Sequence, residues 1–195
     1  MANPRIYTGI PYCHKGEGHP PGKDLGRAYN EFMALIPDDA WAVILDHDAM
    51  FCSPTWFRRV EEAIEDYPDA GLFAFITNRL NPNRSMWQMA PEAGMHNHLI
   101  SAHRGVAAAR EAEHGSTAVD VTHVHSFDRN AELSGVGFAV SKQAWIKIGG
   151  ALEGKFTNVD HDLHHRIINV GLKVYLLPGV YMYHWFRYDT RPEGV

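Results

Sequence analysis

A short apolar run that ends in two closely spaced carboxylates constrains this chain more than any other feature. Residues 41–45 are Trp-Ala-Val-Ile-Leu, and Asp46, His47 and Asp48 come directly after them. Such a continuous run is typical of a strand buried on both faces of a parallel sheet. Because alternate residues of an extended chain point to the same side, both carboxylates can face one site. Open α/β sheets bind ligands at this end of their strands, and two acids there favour a bound cation. The pattern also fits a plain acidic turn in which Asp48 caps the next element.

The composition fits one globular domain over residues 1–195. Hydrophobic residues make up 45% of the 195 and charged residues 21%, which is ordinary for a single core of this size. The net charge of −5 with no basic run argues against nucleic-acid binding. No segment is apolar enough to span a membrane, and the first residues lack a signal-peptide pattern. Cys13 and Cys52 form no disulfide framework, so we expect reduced thiols and a cytoplasmic protein.

The predicted elements succeed one another as in an α/β domain. Residues 5–45 are predicted to form a strand, a Gly- and Pro-rich loop, a helix capped by Asp24 and a parallel strand. The predicted strands cover residues 5–12, 41–45, 71–77, 119–125, 134–140, 172–177 and 180–184. The predicted helices cover residues 24–36, 53–67, 99–113, 141–148 and 160–170, and a long loop covers 78–98. We therefore expect a mixed, mostly parallel sheet with helices on both faces.

Further acids and a late histidine are candidate partners for the Asp46–Asp48 pair. Magnesium-type ions are usually held by one or two carboxylates together with substrate phosphates, and a distant His184 fits that sparse ligand set. Asp160 and Asp162 open a predicted helix, where the helix dipole alone favours acids. In the functional interpretation one of these two carboxylates is a general base within reach of an acceptor hydroxyl.

Five motifs occur in an order that points to a known family. They are Asp-Leu-Gly-Arg-Ala-Tyr-Asn (24–30), Val-Ile-Leu-Asp-His-Asp (43–48), Ser-Gly-Val-Gly-Phe-Ala-Val-Ser-Lys-Gln-Ala-Trp-Ile-Lys-Ile-Gly-Gly (134–150), Asp-His-Asp-Leu-His-His-Arg (160–166) and Tyr-His-Trp (183–185). With these motifs the chain resembles a GT-A glycosyltransferase, close to family 2. The order and spacing are similar to that family's nucleotide-sugar strand end, its Gly-rich acceptor-side strand, its acidic helix and its late histidine.

The resemblance implies a GT-A fold and a transferase activity. The donor would be a nucleotide-diphosphate sugar, such as a UDP- or GDP-sugar, and the acceptor a hydroxyl of a glycan or small molecule, with inversion at the anomeric carbon. It implies that Asp48, with Asp46 and His184, holds a Mn²⁺ or Mg²⁺ ion that bridges the donor diphosphate. Asp160 matches the Asp of the family's Glu-Asp pair and would be the base that deprotonates the acceptor hydroxyl. The residues that would bind the nucleotide sugar are Thr8, Pro11, Tyr12, Arg27, Asn30, Asp46, His47, Gly135 and Gly137.

The chain departs from the family pattern at two places. Val159 stands where the family usually has Glu, which leaves open whether Asp160 or Asp162 is the base. The family commonly has a further strand and helix before its Asp-X-Asp strand. They carry an acidic residue that contacts the base of the nucleotide. This chain passes directly to Trp41. The shortened half motivates one alternative, a catalytically degenerate nucleotide-binding module.

Histidine pairs support a second alternative, a zinc-dependent hydrolase. His161 and His165 are four apart on a predicted helix and can ligate one metal, as in HExxH enzymes, although the Glu of that motif is absent. His123 and His125 alternate on a predicted strand and would face one side. A solvated helix face explains the first pair equally well. Near the C-terminus, Trp185 and Phe186 can stack on a sugar or anchor the chain, and Arg187 and Arg191 can pair with phosphate or lie on the surface.

Overall fold

A computed structural model of the chain describes residues 4–11, 23–80, 86–123 and 133–185. Its strands are β1 (Ile6–Gly9), β2 (Trp41–Leu45), β3 (Ala49–Phe51), β4 (Ala70–Thr77), β5 (Val119–Asp120), β6 (Gly137–Ser141) and β7 (Lys173–His184). Its α-helices are α1 (Leu25–Ala34), α2 (Trp56–Asp66), α3 (Ile100–His114), α4 (Lys142–Ile148) and α5 (Val159–Asn169). Two 3₁₀ turns, Met86–Gln88 and Pro91–Ala93, precede α3. The described strands form one sheet in the order β1-β2-β6-β4-β7-β3, with β5 also paired to β7.

Local signals in the sequence account for where α1 and α4 begin and end. The Asp24 carboxylate accepts a hydrogen bond from the Arg27 N–H and caps α1, as predicted. The Ser141 hydroxyl accepts from the Ala144 N–H at 2.9 Å and caps α4 in the same way. Gly149 then ends α4 with a φ of 72°, a left-handed conformation that glycine adopts without a side-chain clash.

Alternate residues of the central strands face two separate apolar clusters. Ala42 and Ile44 of β2 belong to a cluster that also contains residues of α1, α3, α4 and α5. Val43 and Leu45 belong to a second cluster with Val60 and other residues of α2. The expectation that 41–45 is a strand buried on both faces, with helices on both sides of the sheet, is confirmed.

The direction of the strands differs from the expectation of a mostly parallel sheet. Pairs β1–β2 and β4–β7 are parallel, whereas β2–β6, β4–β6, β3–β7 and β5–β7 are antiparallel. The described sheet is therefore mixed, and parallel pairing does not predominate in it. An apolar run buried on both faces has the same appearance in either direction, so the pattern could not show that β6 runs antiparallel between β2 and β4.

Predicted and observed bounds also differ at several places along the chain. The strand expected over 119–125 ends at Asp120, whose carboxylate accepts from the Thr122 N–H and turns the chain. The two strands expected over 172–184 are one strand, β7, in which the residues between Leu177 and Tyr181 shift the register against β4. The helix expected from residue 53 begins at Trp56. No helix in the part of the chain that the structure describes is long and apolar enough to cross a membrane.

Candidate metal centre

The turn between β2 and β3 brings two carboxylates to the last residue of β7. Asp46 comes directly after β2, Asp48 precedes β3, and β3 pairs antiparallel with β7 so that Ala49 lies opposite His184. The Asp48 Oδ1 and His184 Nε2 atoms are 3.3 Å apart. One ligand atom from each of Asp46, Asp48 and His184 lies within 4.8 Å of the other two. The structure thus brings together the three residues that the sequence analysis assigned to a metal.

The His184 ring is held in one orientation. Its Nδ1 lies 2.8 Å from the main-chain oxygen of Arg79, which can only accept, so Nδ1 donates to it. Nε2 faces the carboxylate of Asp48; it donates to that carboxylate when it carries a proton, and its lone pair can bind a metal when it does not. Metal-binding histidines usually donate their second ring N–H to a carbonyl in this way. His184 is 4% exposed, so few other orientations are open to it.

Asp46 occupies an unfavourable position for a negative charge. Its main-chain N–H donates to the Val136 oxygen at 3.0 Å, which fixes the carboxylate at the end of β2. Burial raises the pKa of Asp46 to about 6; His184 opposes this shift, and the negative charges of Asp48 and Asp160 add to it. A cation bound here would remove the main cost of ionising this carboxylate.

Asp48 is the better stabilised anion of the pair. Burial by itself raises the pKa of Asp48, but hydrogen bonding to His184 and the charge of His184 outweigh burial, and the net shift is downward. The Asp48 main chain is also fixed, because its oxygen accepts from the Trp185 N–H at 2.9 Å. The centre therefore joins one readily ionised carboxylate, one reluctant carboxylate and one imidazole. Two carboxylates and one imidazole together can hold a divalent cation.

Asp160 lies beside the centre, on the first turn of α5. Its Oδ2 accepts a hydrogen bond of 2.6 Å from the Gly135 N–H. Burial raises the pKa of Asp160, although that hydrogen bond and other backbone N–H groups oppose the shift. Its charge also acts on Asp46, so the two carboxylates belong to one electrostatic group. A desolvated carboxylate is a stronger proton acceptor, which is what a general base requires.

Asp162 faces a different neighbour. Its Oδ2 lies 3.8 Å from Nη1 of Arg166, one turn further along α5. Arg166 in turn donates to the Gly150 oxygen at 2.6 Å and to the oxygen of Ile148, at the end of α4. Asp162 therefore takes part in the packing of α5 against α4. Of the two carboxylates that the sequence left open as the base, Asp160 is the one whose charge is seen to raise the pKa of Asp46.

The candidate nucleotide-binding residues on α1 have partners within the protein. Arg27 is exposed and pairs with Glu31 at 2.9 Å. Asn30 donates to the oxygen of Ala151 at 3.0 Å and accepts from the Ala151 N–H at 2.9 Å, so it holds the loop after α4. These contacts give both side chains a structural role, and a role in nucleotide binding stays a prediction for them.

The remaining candidates for nucleotide-sugar binding lie on or after β1, between β2 and β3, and on β6. Thr8 is exposed on β1, Pro11 is half-buried, and Tyr12 lies outside the described residues. His47 is exposed, and its charge acts on Asp46 and Asp48. Gly137 is buried, and a Cβ atom there would lie 2.4 Å from Sδ of Met182. The space at Gly137 is therefore filled by a core side chain.

The histidine pairs do not complete a comparable cluster within the described residues. The rings of His161 and His165 are 4.4 Å apart on α5, as their spacing predicted. In the described part of the chain, Asp46, Asp48 and His184 are the group of three His, Cys, Asp or Glu residues close enough to share a metal, and neither α5 histidine belongs to it. His123 is exposed in a turn, and His125, Phe186, Arg187 and Arg191 lie outside the described residues. Trp185 packs against His98, with ring centres 4.5 Å apart.

A cavity of about 870 Å³ lies between α3 and the segment that joins β3 to α2. It is lined on one side by Trp56, whose ring stacks on Phe51 at 3.8 Å. Glu111 also lines the cavity, and its carboxylate accepts hydrogen bonds from Ser53, Thr55 and Arg59. Burial raises the pKa of the Cys52 thiol at this cavity, which disfavours the nucleophilic thiolate. The chemistry of the centre at Asp48 is therefore the stronger candidate.

Sequence reasoning missed the residues that hydrogen-bond to His184 and to the segment before β6. Asn78 and Arg79 come directly after β4 and contact His184, and Gln88 accepts from the Ser134 N–H at 2.7 Å. All three fell in the segment predicted as a long loop. One signal was present: Asn78 is a polar residue directly after a buried strand, as Asp46 is.

Comparisons with known proteins do not assign the chain to a family. No model of a known protein family matches it, and no curated protein matches it. The site itself therefore carries the functional argument.

Proposed function

We propose that this protein is a metal-dependent glycosyltransferase that moves a sugar from a nucleotide-diphosphate donor to a hydroxyl acceptor. The observation that carries the proposal is the convergence of Asp46, Asp48 and His184 within 4.8 Å at the carboxyl end of β2, beside the half-buried Asp160, whose charge acts on Asp46. This is a sparse ligand set that leaves coordination positions to substrate oxygens, and a separate carboxylate is available for proton transfer.

The chain's own residues divide the work between donor and acceptor. Asp46, Asp48 and His184 would hold Mn²⁺ or Mg²⁺, which acts as a Lewis acid toward the diphosphate of the donor. Asp160 takes the proton of the acceptor hydroxyl as the acceptor oxygen bonds to the anomeric carbon. The bond from that carbon to the diphosphate oxygen breaks, and the configuration at the anomeric carbon is inverted. The Gly135 N–H holds Asp160 in place during this proton transfer.

A thermal-shift experiment tests the proposal at the level of binding. UDP and GDP are added to the wild type with Mn²⁺, Mg²⁺ or a chelator. A ligand that binds only the native state adds RT ln(1 + [L]/Kd), about 2.7 kcal/mol at a hundredfold excess over Kd. We expect a metal-dependent shift with one nucleotide that is lost in Asp48→Ala. Asp66→Ala, which removes an exposed carboxylate at the end of α2, is the control and keeps the shift.

Incubation with the matching nucleotide sugars separates the proposal from its rivals. Release of nucleotide diphosphate or transfer to an acceptor supports the transferase. Metal-dependent binding without release or transfer supports a catalytically degenerate nucleotide-binding module. Absence of any shift, together with stoichiometric zinc that is lost in His165→Ala, supports the hydrolase.

A further inference from the structure

We propose that Asn78 is a positioning residue for His184, whose main chain it holds so that the ring presents Nε2 to Asp48. The inference rests on the proposed function in one respect, because that function makes His184 a metal ligand. The positioning itself belongs to the folded chain and can be measured without metal.

The position of Asn78 results from the way in which β4 ends. Parallel pairing between β4 and β7 continues to Thr77, which lies opposite Met182, and stops short of His184. On the other edge of β7, the bond to β3 is made by the Trp185 N–H and the Asp48 oxygen. In an antiparallel ladder the neighbouring residue then directs its own N–H and C=O to the opposite edge. The main chain of His184 therefore faces the side that β4 has just left.

The side chain of Asn78 occupies that side and bonds to both groups. The His184 N–H donates to Oδ1 of Asn78 at 2.8 Å, and Nδ2 of Asn78 donates to the His184 oxygen at 3.4 Å. An amide offers a donor and an acceptor at once, as a peptide unit of a neighbouring strand does. Asn78 is fully buried, so loss of either bond would leave a buried polar group without its partner.

The next residue completes the arrangement. The main-chain oxygen of Arg79 accepts from Nδ1 of His184 at 2.8 Å. Because Asn78 and Arg79 are adjacent, a single segment holds both the main chain and the ring of His184. A displacement of this segment would remove the acceptor of the Nδ1 proton and allow the ring to turn Nε2 away from Asp48. Partners of this kind fix the tautomer and orientation of a metal-binding histidine.

The test uses two variants and one matched control. Asn78→Asp keeps nearly the same shape and the acceptor, but it directs a second acceptor at the His184 oxygen. Asn78→Ser shortens the side chain and cannot reach both groups. Asn97→Asp is the control, because Asn97 also bonds two main-chain groups, the Ala93 oxygen and the Leu99 N–H, and neither belongs to a candidate ligand.

Two measurements are made on each protein. Nitrogen NMR of the imidazole rings, in metal-free protein, reports whether the Nδ1 proton of His184 is held in a hydrogen bond. Titration with Mn²⁺ alone, monitored by water-proton relaxation, reports metal affinity. We expect a hydrogen-bonded, slowly exchanging Nδ1–H in the wild type and in Asn97→Asp. We expect a rapidly exchanging Nδ1–H and a Mn²⁺ affinity lowered about 10- to 100-fold in Asn78→Asp.

The outcomes separate this inference from the proposed function. An Nδ1–H that stays hydrogen-bonded in folded Asn78→Asp or Asn78→Ser overturns the positioning role, whatever the metal affinity. A wild type that does not bind Mn²⁺ contradicts the proposed metal, while the exchange of the Nδ1 proton still decides the role of Asn78. If Asn78→Asp does not fold, Asn78→Ser decides the question by the same exchange signal. A merely structural role for Asn78 would lower stability and leave the Nδ1–H hydrogen bond as it is.

Discussion

The main-chain N–H of Gly135 donates a 2.6 Å hydrogen bond to the carboxylate of Asp160. The next residue, Val136, accepts from the Asp46 N–H at 3.0 Å. Two consecutive residues before β6 therefore fix the position of the candidate base relative to the candidate metal ligand. A substitution at Gly135 therefore tests the position of the Asp160 carboxylate without changing any charge.

Gly135→Ala should lower turnover more than it lowers stability. A Cβ atom at Gly135 would lie 3.2 Å from Oδ2 and 3.3 Å from Cβ of Asp160, so the carboxylate must give by a few tenths of an ångström. Displacement of a reacting group by about 1 Å can cost about a hundredfold in rate, so this smaller shift should cost roughly threefold to tenfold. We expect a loss of that order in nucleotide-sugar turnover, with Mn²⁺-dependent nucleotide binding retained.

Gly105→Ala is the matched control for that substitution. Gly105 lies on α3, and a Cβ atom there would have no neighbour within 4 Å. Alanine in a helix should raise the free energy of unfolding by roughly 0.5–1 kcal/mol and leave turnover unchanged. Equal turnover in the two variants would contradict the proposed role of the Gly135–Asp160 contact.

Asp160→Asn and Asp162→Asn should separate the two candidate bases. Asparagine at position 160 can still accept from the Gly135 N–H, so the fold and donor binding should persist. We expect Asp160→Asn to lose about 10²- to 10⁴-fold in turnover, the range of general-base catalysis. Asp162→Asn should retain most activity, because Asp162 faces Arg166. The reverse ranking of turnover numbers, measured at saturating donor, would assign the base to Asp162.

Asp46→Asn should make the metal-free protein more stable at neutral pH. The folded-state pKa of Asp46 is raised from 3.8 to about 6, so the native state holds its proton more tightly than the unfolded state. The stability from this proton is present below about pH 4 and is lost as the pH rises toward about 6. Two pKa units correspond to roughly 3 kcal/mol at 1.36 kcal/mol each, and partial exposure reduces the expected gain to about 2 kcal/mol.

Urea unfolding from pH 4 to pH 8 with a chelator measures this effect. The difference between Asp46→Asn and wild type should grow between pH 4 and pH 7, whereas Asp66→Asn should show no such trend. Added Mn²⁺ should stabilise the wild type and leave Asp46→Asn unaffected. A wild type and Asp46→Asn variant with parallel pH profiles would argue against the burial of an ionised Asp46.

Gly137→Ala distinguishes core packing from ligand binding at the second glycine of the motif. A Cβ atom there would lie 2.4 Å from Sδ and 2.7 Å from Cε of Met182, which is fully buried. Overpacking of this kind typically costs about 1–3 kcal/mol, and we expect that loss in the free energy of unfolding. The double variant Gly137→Ala, Met182→Val should recover part of it. A loss of nucleotide affinity at unchanged stability would assign Gly137 to the nucleotide-sugar site instead.

Much of the fold could be predicted because its signals are local. The cap at Asp24, the cap at Ser141 and the left-handed Gly149 depend on residues within one helical turn. The burial of 41–45 on both faces results from an uninterrupted apolar run. The direction of β6 could not be predicted in this way, because it depends on which distant strands it joins. The sequence also predicted two strands over 172–184, where the structure has one strand, β7, with a shift in its register against β4. That shift likewise depends on pairing with a distant strand.

The candidate site also has a part that the sequence predicts and a part that only the fold shows. The residues alone indicate that Asp46 and Asp48 end a buried strand, because alternation along an extended chain is a local property. The folded chain was needed to show that His184 joins them, that the charge of Asp160 raises the pKa of Asp46, and that Asn78 and Arg79 hold His184. These relationships depend on the register of β7 against β3 and β4. Register is set by packing across the whole sheet, and no short stretch of sequence encodes it.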